Sequence, residues 1–429
     1  MPVMSITLLV LAVVLMLMGT SIAVSLGLSA ILVMLIYQPV PNMMIIPQMF
    51  SEASTSFVLL AVPLFILAGN LMERGTMGRN LIDFTTSLVG WAKGGLGAAT
   101  ITGSMIFGGI SGSSLADTAT FGTIMVPRMV KDGYPKDYAA GLTLTASCLA
   151  VIIPPSILIV LAAASTLQSV GKALAGGILP GILITALLFV PNYVISKKHG
   201  YGSRIPFSLK NVLHKLTTCW TALIAPLIIL GSIFSGVVTP TEGALVAVFY
   251  ILFVDMLVFR RLKWADLVDA SKSTAVLTSA ILFIATSSAM ANWIIAYENV
   301  PKFMAEALVG VPGGTVGFLI LINIFLLIIG MTLDAGPATI IFTPLFLPVA
   351  VSMGIDPTHF LIIMVCGFAL GLVTPPYGVC LFSISSICSI PMDRLVRASM
   401  PFYAVIFMAM LMITFIPAIT LFIPNILGL

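Results

Sequence analysis

The chain alternates long apolar runs with short polar loops, and the length of the runs predicts membrane-spanning helices. An apolar helix needs about 17–25 residues to cross a bilayer. Five runs of this kind lie in the first half of the chain and five in the second. We place the predicted spans at 2–18, 21–37, 57–72, 138–164 and 172–195, and at 223–239, 242–258, 278–293, 359–385 and 393–416.

Each half holds one further apolar block between its third and fourth spans, at 94–127 and at 315–348. The blocks are interrupted near the middle by GGISGSS and by IGMTLDAGP. Each arm has about 11–17 residues, which is short for a full crossing. A block of this kind is either one long helix with a loop or a re-entrant helical hairpin whose tip stops inside the membrane.

The two halves share a set of landmark residues, mostly Gly and Pro, at a constant offset of 221 residues. The matched pairs are Gly109 and Gly330, Thr118 and Thr339, Phe121 and Phe342, Pro127 and Pro348, Gly133 and Gly354, and Pro154-Pro155 and Pro375-Pro376. A repeat that is broken by Gly and Pro within apolar sequence is typical of transporters with interrupted helices. We therefore predict a first repeat at 1–215 and a second at 216–429.

The distribution of positive charge favours hairpins over long helices. With two hairpins, each half crosses the bilayer five times, so the second half is inverted relative to the first. If the N-terminus lies outside, this topology puts 17 of the 19 Lys and Arg residues inside and leaves only Lys172 and Lys302 outside. An excess of Lys and Arg on the cytoplasmic side is expected. The sequence thus predicts an all-α, inverted-repeat membrane protein with a cytoplasmic hairpin (94–127) and a periplasmic hairpin (315–348).

Composition agrees with a membrane protein. Hydrophobic residues make up 59% of the 429 residues and charged residues 8%, and the mean hydropathy is +1.17, whereas a soluble domain has about 25% charged residues. The net charge of +4 is spread over separate loops, so we predict no nucleic-acid partner. The N-terminal stretch MPVMSITLLVLAVVLMLMG lacks a basic residue, which predicts a retained membrane helix rather than a cleaved signal peptide.

Two features outside the spans have a structural interpretation. The segments 75–94 and 299–311 mix charged and apolar residues at helical spacing, which fits either helices along the membrane surface or ordinary loops. The run Thr239-Pro240-Thr241-Glu242 predicts a capping box, with Thr239 as the N-cap and Pro240 as the first helical residue.

The hairpin tips and the segments around the two Pro-Pro pairs are the expected binding site. Irregular backbone is tolerated inside a bilayer only where it is buried in protein or lines a wet cavity. Small residues let the chain unwind, and the freed hydroxyl and carbonyl oxygens suit Na⁺. We predict that substrate contacts Ser113, Thr145, Ser156 and Asp334, and that Na⁺ is held by Ser111, Gly112, Ser114, Asp117, Ser147, Thr332, Gly336, Gly367, Gly371 and Thr374.

Two acids in this set each have two possible roles. Asp334 lies in the register of Ser113 and either binds an ion or orients the substrate, because an acid within the membrane is costly and usually functional. Asp117 begins the return arm of the first hairpin, where it is either an ion ligand or only a helix cap.

Several stretches together resemble the large membrane subunit of tripartite ATP-independent periplasmic (TRAP) transporters. The matching stretches are VPLFILAGNLM (62–72), SGSSLADTATFGTIMVP (111–127), GYPKDYAAGL (133–142), IIPPSI (152–157), SGVVTPTEGA (235–244), GMTLDAGPATIIFTPLFLPV (330–349), GIDPTHF (354–360) and LVTPPYGVCLF (372–382). The resemblance covers nearly the whole chain. It implies an elevator-type, Na⁺-driven importer of organic acids in the bacterial inner membrane.

The resemblance also implies partners: a periplasmic substrate-binding protein and a small four-helix membrane subunit, which we expect as a separate chain. It implies a C4-dicarboxylate or a sialic acid as substrate, with a lean towards sialic acid. A divalent-anion/Na⁺ symporter that works without a binding protein is the alternative. An intramembrane enzyme is disfavoured, since the three His residues lie near loops and no HExxH motif occurs. A channel is disfavoured because tips that enter from opposite sides suit alternating access.

Overall fold

The computed structural model describes residues 2–38, 44–55, 57–75, 77–202, 207–300, 302–303 and 313–429. Within these ranges the chain is helical and contains no β-strand. The helices are α1 (Val3–Leu17), α2 (Ile22–Tyr37), α3 (Ile45–Ser54), α4 (Ala61–Arg74), α5 (Met77–Val89), α6 (Gly95–Ser111), α7 (Ser114–Lys131), α8 (Lys136–Ala146), α9 (Ile157–Ser165), α10 (Val170–His199), α11 (Leu209–Phe234), α12 (Pro240–Leu252), α13 (Trp264–Tyr297), α14 (Gly314–Thr332), α15 (Ala335–Ser352), α16 (Pro357–Val373), α17 (Val379–Cys388), α18 (Met392–Phe415) and α19 (Ala418–Ile426). A 3₁₀ segment, Ser147–Val151, follows α8, and a π-helical segment, Phe253–Val258, follows α12.

The two predicted hairpins are present, and their arms keep the repeat register. The first hairpin is α6 and α7, joined by Gly112 and Ser113, and the second is α14 and α15, joined by Leu333 and Asp334. The return arms, α7 and α15, begin and end at positions 221 residues apart. By length and composition, seven of the described helices could each cross a membrane. The prediction of an all-α, inverted-repeat membrane fold with two helical hairpins is confirmed.

Helix packing divides the molecule into two bundles. The first, which we call the scaffold bundle, contains α1–α4 and α11–α13. The second, the hairpin bundle, contains α6–α10 and α14–α19. Helix α5 packs against α6 and α11 and so bridges the two bundles. Each bundle draws helices from both repeats, so the packing does not follow the predicted boundary at 215/216.

The third span differs between the halves, which the apolar pattern did not predict. In the first half it is two helices, α3 and α4, where we predicted a loop followed by a single span. In the second half the corresponding residues form one continuous helix, α13, that begins 14 residues before the predicted span. Pro63 explains the difference, because its ring blocks a helix that continues from the N-terminal side but fits in a first turn. The equivalent position in the second half is Ile284.

Two local predictions can be compared with the structure. The capping box is confirmed: the Thr239 hydroxyl accepts from the Glu242 N–H (3.3 Å), and the Glu242 carboxylate accepts from the Thr239 N–H (2.7 Å). The segment 75–94 contains helix α5, while most of 299–311 lies outside the described residues.

Candidate ion and substrate site at the hairpin tips

The first tip is a tight turn in which Gly112 and Ser113 each have a structural role. Gly112 has φ +61°, a left-handed conformation that favours glycine, and its N–H donates to the carbonyl of Gly108 (2.8 Å). Ser113 is the N-cap of α7, where its hydroxyl accepts from the N–H of Ala116 (3.3 Å). Since Ser113 fills the cap, the alternative that Asp117 is merely the cap of this helix is wrong.

Asp117 instead lies buried against the outgoing arm of the same hairpin. Its Oδ2 accepts from the Ser104 hydroxyl (2.8 Å). Its Oδ1 has no hydrogen-bond partner in the described part of the chain, and the same holds for the hydroxyls of Ser114 and Thr118. The three residues are exposed by 2% or less. Buried polar atoms without partners are rare in proteins, so this cluster is a candidate for a bound ion.

The second tip is more open than the first. Asp334 occupies the N-cap position of α15, as Ser113 does in α7, but its side chain makes no capping hydrogen bond and is exposed. The Thr332 hydroxyl is exposed and donates to carbonyls of its own helix, those of Ile328 (3.2 Å) and Ile329 (3.0 Å). Deeper in the return arm, the hydroxyls of Thr339 and Thr343 are buried and find no partner among the described residues.

The broken helix of the first repeat matches the expectation of an irregular segment before and around Pro154-Pro155. Helix α8 ends at Ala146, and the 3₁₀ segment and a turn carry the chain to α9. Ser156 is the N-cap of α9 and accepts from the N–H of Ile159 (3.3 Å). The hydroxyls of Thr145 and Ser147 donate to the carbonyls of Gly141 (2.9 Å) and Leu144 (2.7 Å). These hydroxyls remain able to accept from, or coordinate, a bound group.

The second repeat differs from the expectation, because α16 stays helical through Gly367 and Gly371. The carbonyl of Gly371 accepts from the N–H of Thr374 (3.2 Å), and the Thr374 hydroxyl donates to the carbonyl of Leu370. The prediction that Gly367 and Gly371 are unwound and offer free carbonyls is therefore wrong. Both glycines serve close packing instead, since an added methyl group would lie 2.6 Å from Cδ1 of Leu326 at Gly367 and 2.3 Å from the carbonyl carbon of Gly330 at Gly371.

The two repeats meet at the tips. A methyl group on Gly112 would lie 3.2 Å from the backbone nitrogen of Ile157, next to Ser156 in the same repeat. One on Gly336 would lie 4.0 Å from Cδ1 of Leu161 in α9, which belongs to the other repeat. The return arm α7 packs in turn on α17 of the second repeat. The first tip thus lies against the broken helix of its own repeat, as expected, whereas the contact of the second tip with α9 crosses the repeat boundary and was not predicted.

Some residues with buried, unpaired polar groups were not assigned to the site from the sequence. Thr118 and Thr339 were recognised only as matched landmarks, yet both hydroxyls are buried and without a partner in the described chain. Their shared register was the available signal. The Cys380 thiol of α17 lies near the hydroxyls of Thr118 and Ser147, a weak polar contact that does not give Thr118 a hydrogen bond of ordinary geometry. Nothing in the linear sequence places this cysteine beside the first hairpin.

The geometry can now be compared with known proteins. Residues 9–419 match the family model described as the DctM component of the tripartite ATP-independent periplasmic transporter. The chain belongs to this family. Among DctM-family relatives, the C4-dicarboxylate TRAP transporter large permease protein DctM of Pseudomonas aeruginosa is 36% identical over 94% of this chain and 95% of the relative. The sialic acid TRAP transporter large permease protein SiaM of Vibrio cholerae is 32% identical over 86% of this chain and 87% of the relative.

A solved structure supports the fold of this DctM-family chain. The YdaH transporter of Alcanivorax borkumensis superposes with a TM-score of 0.61, covering 89% of this chain and 87% of that one at 14% identity. At this identity the likeness concerns the fold alone. The chain is therefore a large permease subunit of a TRAP transporter, a multi-pass membrane protein and not an enzyme.

Proposed function

We propose that this chain performs Na⁺-driven uptake of an organic acid, as the transport subunit of a tripartite system. The single observation that carries the Na⁺ coupling is the pair of buried oxygen clusters on the return arms of the two hairpins. Thr118 in α7 and Thr339 in α15 are related by the repeat, and both hydroxyls lack a partner in the described chain. Ser114 and Asp117 add two more oxygens beside Thr118.

The donor set suits Na⁺ better than a tightly held divalent ion. The cluster beside Thr118 contains one carboxylate and two hydroxyls, a low charge that fits a monovalent cation. Across the described residues, no group of three or more His, Cys, Asp or Glu side chains could hold a metal ion. Irregular backbone at the tips adds carbonyl oxygens of the kind that broken helices offer to Na⁺.

For the substrate we propose an acid of the C4-dicarboxylate or sialic acid class. The relatives from P. aeruginosa and V. cholerae carry these two substrates in their names, and their identities to this chain are similar. Ser113, Ser156, Thr145 and Asp334 are our candidates for substrate contact, since they surround the tips and the broken helix of the first repeat. N-termini of helices α7 and α9 begin here and favour an anionic group.

The partners we propose are a periplasmic substrate-binding protein and a small four-helix membrane subunit, in the inner membrane of a bacterium. The hairpin bundle would move relative to the scaffold bundle in an elevator motion, and the small subunit would anchor the scaffold. The division into two bundles that each draw on both repeats supports this. The surrounding lipid contacts the many apolar side chains exposed on both bundles, such as Phe249 in α12 and Leu411 in α18.

The test is uptake into proteoliposomes that contain the chain and its small subunit. Labelled succinate and N-acetylneuraminate are supplied with their binding proteins. We expect uptake to require Na⁺ and to stop when K⁺ replaces it at fixed membrane potential. Undiminished uptake without Na⁺ would contradict the proposed coupling. Vesicles that contain the chain alone, given free substrate, should not accumulate it, and robust accumulation there would favour the divalent-anion symporter.

A further inference from the structure

A polar cavity of about 520 Å³ lies between the two bundles, away from the hairpin tips. Its scaffold wall carries Glu73 and Arg74 at the end of α4 and Arg261 in the loop before α13. Its opposite wall is the first hairpin, with Thr120 and Thr123 on the return arm. The distribution of basic residues puts this end of the molecule on the cytoplasmic side. The volume lies within the range of small-molecule sites, about 300–1,000 Å³.

Arg261 is held in place by its backbone, while its guanidinium makes no ion pair with any residue that the structure describes. The N–H groups of Arg261 and Leu262 both donate to the carbonyl of Asp255, at 2.9 and 3.2 Å. Arg260 adopts a left-handed conformation (φ 53°) that turns the chain sharply just before it. A cation positioned in this way is available to an anionic ligand.

The side chains that line the cavity include two arginines and one acid, and two further carboxylates lie at its edge, Asp255 against Gly75 and Asp269 beside Arg74. Arg74 is paired only loosely with Asp269, at 3.9 Å, and both side chains are partly exposed. Glu73 is the one acid among the lining residues, set against two arginines. An excess of one sign of charge on the lining of a cleft raises the local concentration of the opposite ion. An anion that enters this cavity meets two guanidinium groups on one side and two threonines on the other.

A second cleft between the bundles gives a useful contrast. It has a volume of about 590 Å³ and is lined by Glu52, Thr55, Ser165 and Asn292 among others. The predicted topology puts this cleft on the periplasmic side. Its one charged lining residue is the acid Glu52, so it offers an anion no comparable attraction. The two clefts therefore differ in the sense expected if an anion is to be drawn to the cytoplasmic end.

We propose that the cytoplasmic cavity is a subsite for the carboxylate group of the transported acid, bound by Arg74 and Arg261. It rests on the proposed function, in that the cargo is an organic acid. The acid occupies the subsite after it leaves the hairpin tips and before it reaches the cytoplasm. Arg261 supplies the main charge, and Thr120 and Thr123 line the side that belongs to the hairpin bundle.

A labelling experiment on the assembled complex tests the subsite without requiring transport. Thr123 is exposed and lines the cavity, so Thr123→Cys can be labelled with a membrane-impermeant maleimide in inside-out vesicles. The five native cysteines are buried, and unsubstituted protein gives the background. Succinate and N-acetylneuraminate serve as probes. At twice its dissociation constant, a bound probe slows labelling about threefold by mass action.

Two neighbouring arginines provide a matched pair of variants. Arg261→Gln should raise the protecting concentration about tenfold, because a charge-assisted contact is lost. Arg260→Gln removes the same charge one residue away, at a position that does not line the cavity, and should leave protection unchanged. Succinamide, which is neutral, should not protect. If Thr123→Cys fails to assemble, Thr120→Cys reports on the same wall.

The outcomes separate this proposal from the proposed function. Labelling that neither acid slows would overturn the subsite, as would protection that survives in Arg261→Gln or that succinamide also gives. Uptake by the unsubstituted complex is measured in parallel. If that uptake is Na⁺-driven but labelling is unprotected, the subsite alone is wrong. If neither acid is transported, the proposed substrate class is wrong, and protection by these acids would then stand as anion binding without transport.

Discussion

Gly330, in the first arm of the second hairpin (α14), and Gly371, in α16, are in direct backbone contact. A methyl group added to Gly371 would lie 2.3 Å from the carbonyl carbon of Gly330 and 2.4 Å from its Cα. The first hairpin has a similar contact, since a methyl group on Gly108 would lie 2.3 Å from the Cα of Ala150. Each hairpin is thus seated on the broken helix of its own repeat through backbone, where small residues allow close approach.

We predict that Gly371→Ala destabilises the seating of the second hairpin. The added methyl group meets backbone atoms that cannot rotate away, and overpacking of this kind costs about 1–3 kcal/mol. Thermal unfolding in detergent and uptake in proteoliposomes measure the effect, and both should fall. Gly231→Ala in α11 is the matched control, because no atom of a described residue lies within 4 Å of the added methyl group there. Equal unfolding temperatures for the two variants would contradict the packing role.

The hairpins were predictable from sequence because the same pattern of landmark residues occurs in both halves of the chain. The return arms α7 and α15 have identical lengths, and the pairs Gly109/Gly330 and Pro127/Pro348 mark the same positions in the two hairpins. The differences between repeats were not predictable in the same way. The third span is broken in the first half, where Pro63 lies in the first turn of α4, and continuous in the second half, where Ile284 takes the equivalent position. The helical state of Gly367 and Gly371 depends on packing against Leu326 and Gly330, which a linear pattern does not contain.

A second prediction concerns the matched threonines. Thr118→Val and Thr339→Val keep the side-chain shape and remove a buried hydroxyl that has no protein partner in the described chain. If each hydroxyl contacts Na⁺, the Na⁺ concentration for half-maximal uptake should rise about three- to tenfold, as expected for the loss of one such contact. Folding should be unaffected, since burying an unpaired hydroxyl is itself unfavourable.

Thr143→Val is the control for this pair. Thr143 is equally buried, but its hydroxyl donates to the carbonyl of Ala139 (2.9 Å). The Thr143→Val variant should leave the Na⁺ dependence of uptake unchanged. A Na⁺ dependence in Thr118→Val and Thr339→Val that matches the unsubstituted protein would remove these hydroxyls from the ion sites.

A third prediction concerns the acid at the second tip. Asp334→Ala should abolish Na⁺-driven uptake, because the carboxylate lies at the tip and is free of any capping hydrogen bond. Its removal should change the unfolding temperature little, as is usual for exposed side chains outside a packed core. Ser113→Ala, in the same register of the first hairpin, should weaken uptake without abolishing it. Normal uptake by Asp334→Ala would leave this acid without a role in transport.

The candidate site was predictable in its location but less so in its ligands. The tips could be found because glycine, serine and aspartate interrupt apolar sequence there. Which oxygens remain free depends on where each hydroxyl turns. Ser113 caps a helix and Thr332 donates to its own helix, whereas Thr118 and Thr339 have no such partner in the described chain. Residue type alone does not distinguish these cases.

The last prediction concerns a carboxylate that connects the end of α13 with the start of α1 in the scaffold bundle. Glu298 follows α13, and its two oxygens accept from the N–H groups of Met4 (2.9 Å) and Ser5 (2.6 Å) in the first turn of α1. These N–H groups have no partner within their own helix. Partial burial alone would raise the pKa of Glu298, but the hydrogen bonds from Ser5 and Met4 outweigh it and hold the pKa below its usual value of 4.5.

A lowered pKa makes Glu298 a pH-dependent source of stability. Its contribution is fully present at pH values above its pKa in the unfolded chain and is lost as the pH falls through its lower pKa in the folded protein. We expect Glu298→Gln to unfold at a lower temperature than the unsubstituted protein at neutral pH, and the gap to close as the pH falls below 4.5 and through the lowered pKa of the folded protein. Thermal unfolding of both in detergent across this range measures the gap. Glu52→Gln is the control, since the Glu52 carboxylate makes no hydrogen bond with a described residue, and a gap that does not depend on pH would contradict the role of the charge.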